Sequence, residues 1–105
     1  VLAALARLEA ELADAPSPER LARVSVLLRR LALLRFPRAG VAPLTGEAWL
    51  RFLDESGGEG RFAEGPGRVL AAGPYQRALP PGLDIAALLA LVRDWVGKNS
   101  RSLAA

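Results

Sequence analysis

Carboxylates, arginines, a single lysine, a single tyrosine and a few hydroxyls are the reactive side chains of this 105-residue sequence, because histidine and cysteine are absent. Without cysteine there can be no disulfide frame, thiolate zinc site or cysteine nucleophile. Without histidine the usual proton shuttle at neutral pH and the commonest transition-metal ligand are missing, and a Ser-His-Asp triad is excluded. The densest acidic group is Asp54, Glu55, Glu59 and Glu64. A calcium loop starting at Asp54 would need glycine at its sixth position and glutamate at its twelfth, where the sequence has Glu59 and Gly65. Nothing singles out a carboxylate pair of the glycosidase kind. These charges read as a solvated loop. The chain therefore reads as a non-enzyme with no catalytic residue, metal or cofactor.

The glycine-rich run SGGEGRFAEGPG over residues 56–67 invites comparison with a phosphate-binding loop. That chemistry wants a lysine followed by serine or threonine at the start of a helix, after a strand. Here no lysine follows and no strand precedes. Gly65-Pro66-Gly67 ahead of a short helix could still aim amides, with Arg68 beside them, at an anion. An anion- or small-ligand-binding regulatory domain is the alternative on that ground. The main reading is a structural loop that positions Phe62, since long irregular loops are either functional or mobile.

Arg20, Arg23 and Arg30 gather on one strip of a helix, with Arg29, Arg35 and Arg38 nearby. The net charge is only +3, and neither a nucleic-acid-binding fold nor interleaved aromatics accompany the strip, so no nucleic-acid partner is expected. A solvated helix face comes first and an acidic protein partner second. Trp49, Phe52 and Trp95 lie on apolar stripes and are assigned to the core. Phe62 and Tyr75 stand in irregular segments, where packing competes with an exposed contact. Together with Arg38, Gly65 and Arg68 they make the candidate interaction surface.

The elements that must carry these residues are helical. Leu and Ala dominate the apolar half of the sequence while Val and Ile are scarce. Val1, Leu5, Leu8 and Leu12 mark a first helix over 2–14, stopped by Ala15-Pro16. Ser17, Pro18 and Glu19 start a second over 18–35. Its wide apolar arc (Leu21, Val24, Leu28 and Leu31, extended by Leu27 and Leu34) marks a central helix. Phe36-Pro37 ends it, and Phe36 is expected to pack between it and the third helix, over 46–54, which Thr45 caps. In that helix Trp49, Phe52 and Leu53 face inward. A short helix follows over 67–72. Asp84 caps the last helix, in which Ile85, Leu88, Leu89, Val92, Trp95 and Val96 recur at helical spacing up to Gly97. The fold class is all-α: a compact bundle of four to five helices with a long Gly-rich loop, one domain over 1–97 and a flexible tail over 98–105.

Four short motifs occur in a fixed order: Arg35-Phe36-Pro37-Arg38, Gly46-Glu47-Ala48-Trp49-Leu50, Gly65-Pro66-Gly67 and Pro74-Tyr75. In that order and spacing the sequence resembles the bacterial family called domain of unknown function 4381. The resemblance spans about residues 27–75, and the flanking helices fit in order and length. It implies a parent anchored in the bacterial inner membrane by an N-terminal span, with this domain on the cytoplasmic side. It also implies partners among MoxR-type AAA+ ATPases and von Willebrand factor A-domain proteins encoded nearby. No activity is established for that family, so it carries no catalytic residue over. No apolar run here reaches the ~18 residues of a membrane span. With Val1 in place of an initiator methionine, the chain is expected to be a soluble segment whose span precedes it.

Overall fold

The computed structural model describes residues 2–71, 76–80 and 82–104, and every regular element among them is helical. Helix α1 covers Leu2–Asp14 and α2 covers Pro18–Arg35. They form a hairpin because Pro16 breaks the chain and Ser17 restarts it. Ser17 is extended (φ −154°, ψ 157°), and its Oγ accepts the Arg20 amide at 3.2 Å. Pro18 and Glu19 then suit the donor-rich end of the helix. Leu21, Val24, Leu28, Leu31 and Ala32 turn inward from α2. Leu27 is only half-buried and Leu34 is 71% exposed, so the apolar arc is wider than the surface that its neighbours cover.

Pro37 holds Phe36 extended (φ −119°) and ends α2. The connector after Pro37 contains one helical turn, α3 (Arg38–Val41), before α4 (Gly46–Leu53). Thr45 occupies the N-cap position of α4 with extended dihedrals, but its side chain makes no cap hydrogen bond. The buried face of α4 is Trp49, Leu50 and Leu53. Phe52, expected inside, is half-buried. It stacks on Trp49 (centroids 5.7 Å apart, 10° between planes) and takes Phe36 edge-on at 5.1 Å. The expected packing of Phe36 on this helix is therefore present, through Phe52.

Past Leu53 the helix widens into a π turn over Asp54–Gly58, in which Gly57 sits at φ 146°. A 3₁₀ helix covers Pro66–Leu70, shorter than the helix expected over 67–72, whose last residue lies outside the described set. The last helix, α5, runs Ile85–Ala104. Asp84 caps it as expected, its Oδ1 accepting the Ala87 amide at 3.0 Å. Gly97 does not end it: glycine inside a helix costs only about 1 kcal/mol, and the next turn is anchored. Asn99 is 3% exposed, and its Nδ2 donates to Ser56 O (3.1 Å) and Trp95 O (3.0 Å). Helix α5 packs on α1, α2, the π turn and the 3₁₀ helix, with Leu88, Val92, Trp95 and Val96 buried. The result is an all-α bundle around one core.

Candidate functional site

The glycine-rich segment is a folded socket. Asp54, last in line after α4, turns its carboxylate back on the loop: Oδ1 accepts the Phe62 amide at 2.9 Å and Oδ2 the Ala63 amide at 3.0 Å. Those bonds drive the Phe62 ring inward, where it is 0% exposed. Gly58 and Gly67 lie against opposite edges of the ring, and a Cβ at either would overlap it. Ser56 joins the socket to α5, since its Oγ donates to Phe52 O at 2.7 Å and accepts Trp95 Nε1 at 2.9 Å. Of the two roles open to Phe62, packing is the one it has.

The other candidates are scattered. Gly65 and Arg68 line one shallow depression with Pro66, Val69 and Gln76, but Arg38 does not reach it. Arg38 is exposed at the start of α3. Tyr75 lies outside the described residues. Two of the amides that could face an anion are engaged, Gly67 N donating to Arg61 O and Arg68 N to Gly65 O, both at 3.1 Å, while Pro66 has none to offer. The Arg68 guanidinium pairs with Glu47 and donates to Ala63 O at 2.8 Å.

The arginines of α2 divide into two groups. Arg20 Nη1 donates to Glu11 O (2.7 Å), which also accepts the Ala15 amide, and to Ala15 O (3.1 Å), fastening the carbonyl end of α1. Arg29 donates to Val41 O (3.0 Å) and Leu44 O (2.7 Å) and lies 4.3 Å from the Trp49 ring centroid, pinning the α3–α4 connector. A lysine could supply the charge but not the two-pronged geometry. Arg23 and Arg30 instead face a groove between α1 and α2 of about 390 Å³, together with Arg7. The floor of that groove is apolar, and Val26, at its edge, is 49% exposed. Arg38, Phe62, Gly65 and Arg68 do not line it, but Arg23 and Arg30 belong to the strip whose second reading was a contact for an acidic protein partner. A signal not used was Val26, standing between Arg23 and Arg30 and off the stripe of four buried aliphatics.

A charged network ties the loop to α5. Arg61 pairs with Asp94 at 2.6 Å, and Lys98 bridges Asp94 (3.1 Å) and Glu59 (3.0 Å). The Arg61 and Lys98 hydrogen bonds hold Asp94 below the usual carboxylate range, and Lys98 does the same for Glu59. Lys98 is raised in turn by Glu59 and Asp94. A depressed carboxylate stabilises the fold above its unfolded-state pKa, and that contribution fades as pH falls through the folded value. The melting temperature is thus expected to hold from pH 8 to about 5 and to fall below about 4. In Asp94→Asn the drop should be shallower and the neutral-pH value slightly lower. These groups are solvent-exposed, so about 0.5 M salt should shrink the difference. Equal acid profiles for the two proteins would show that the network contributes nothing.

A family model described as Domain of unknown function (DUF4381) matches residues 1–98 of the chain. No curated protein and no solved structure matches it.

Proposed function

Because the chain belongs to the DUF4381 family, we propose that it is a non-enzymatic protein-interaction module. In this reading it is the cytoplasmic part of a single-span inner-membrane protein serving a MoxR-type ATPase and von Willebrand factor A-domain assembly. The observation that carries the interaction role is the groove between α1 and α2, where an apolar floor lies open to solvent under a rim of arginines. Exposed apolar concavities rimmed by charge are what protein partners cover. The membrane attachment and the identity of the assembly are inferred from the family resemblance alone. No described helix is long and apolar enough to cross a membrane.

Co-purification of the intact protein from its host tests this reading. The ATPase or an A-domain protein should be recovered with it under at least one nucleotide condition. Recovery of neither, with ATP, with ADP or without nucleotide, would overturn it.

A further inference from the structure

Resting on that interaction reading, we propose that the α1–α2 groove is the docking site for an acidic, amphipathic helix of a protein partner. Its shape comes first. The lining positions on α2 run from Ala22 to Arg30 at three- and four-residue spacing, so the groove extends along the helix for about 12 Å. Ala4 and Ala22 are small enough to let a partner backbone approach, while Leu8, Val26 and Leu27 offer apolar surface. A trough of this kind fits a convex rod about 10 Å across. A flat bilayer would bridge the trough without filling it.

Charge then selects among helices. Arg7 and Arg30 form no ion pair among the described residues. Arg23 meets Glu11 at 3.2 Å with the two side chains 60% and 36% exposed, a loose contact that a competing carboxylate can displace. Three cations thus face a single carboxylate around an apolar floor. A partner helix with a leucine stripe flanked by Asp or Glu matches both layers. A second copy of this chain does not, because a two-fold pairing would set these arginines against themselves.

Fluorescence anisotropy with a labelled synthetic peptide tests the proposal. The probe is a helix of about 18 residues with leucine along one face and glutamate along the other. Binding should be saturable and weaken about tenfold or more between about 50 and 300 mM salt. It should also weaken about tenfold or more in the double variant Arg7→Glu/Arg30→Glu and in Val26→Glu, all exposed positions whose folding circular dichroism would verify. Arg51→Glu, an exposed position on α4, should leave it unchanged. A peptide of the same composition with its leucines scattered around the helix should bind at least about tenfold more weakly.

Indifference to charge reversal, or equal affinity for the scattered peptide, would overturn the proposal. So would stronger binding to vesicles of phosphatidylglycerol and phosphatidylcholine that is lost in the same variants, which would give the groove to a membrane. A dimer in sedimentation that Val26→Glu dissolves would overturn it in favour of a second copy. Repeating the co-purification with Arg7→Glu/Arg30→Glu separates the two levels. Association that survives the double variant sinks the groove and leaves the interaction module standing. Absence of association with the unmodified protein sinks the module, whatever the peptide does.

Discussion

Phe62→Ala is expected to destabilise the chain by about 3–5 kcal/mol, read as a lower urea midpoint at unchanged slope. The whole ring is withdrawn from water, and its removal opens a cavity walled by the π turn, the 3₁₀ helix and α5. The socket cannot collapse around it cheaply. Gly67→Ala supplies the converse test, because its added Cβ would lie 2.5 Å from Phe62 Cδ1 and 2.9 Å from both Leu91 Cδ2 and Phe62 Cα. One of those atoms is backbone, so relaxation is limited and a loss of about 1–3 kcal/mol is expected. A Phe62→Ala loss below about 1 kcal/mol would mean that the ring is not enclosed and that the loop is open for another use.

Asp54→Ala should cost about 2–4 kcal/mol. The carboxylate accepts two adjacent loop amides, and alanine would leave both donors without their partner in a partly buried turn. Asp54→Asn is the sharper probe. An amide side chain keeps one acceptor oxygen but sets an NH₂ against the second backbone N–H. Roughly half the loss of the alanine variant is expected, together with faster hydrogen exchange at Phe62 and Ala63. Equal stability of Asp54→Asn and the unmodified protein would show that only one of the two bonds holds the loop.

The helices were legible because leucine spacing encodes them directly, and Ser17 and Asp84 announced two of their starts. Extents were harder to read. Gly97 looks like a stop, yet α5 passes through it because Asn99 finds Ser56 O, a contact 43 residues away in sequence. The socket was illegible for a related reason. Glycine-rich composition suggests an open loop, and nothing in periodicity reveals that the Asp54 carboxylate will gather the amides eight and nine residues on. Phe62 was read first as a packing anchor but also kept among the surface candidates, and it is core.

The arginines of α2 show the same limit. Arg20, Arg23 and Arg30 are one basic strip in sequence with Arg29 nearby, but tertiary neighbours make Arg20 and Arg29 structural and leave Arg30 facing solvent at the groove. The wide apolar arc of α2 was read as a helix surrounded by partners. The fold supplies fewer neighbours than that arc could use and leaves Leu34 uncovered, while Val26, outside the arc, is exposed as well.

Amide and methyl NMR of the chain, titrated with the leucine–glutamate helical peptide, tests most directly that this protein works through the α1–α2 groove. Shifts should concentrate at Ala4, Leu8, Ala22, Val26 and Leu27, with the socket glycines Gly57, Gly58 and Gly67 unmoved. Shifts confined to the glycine-rich segment, with the groove silent, would contradict the account and return function to the loop.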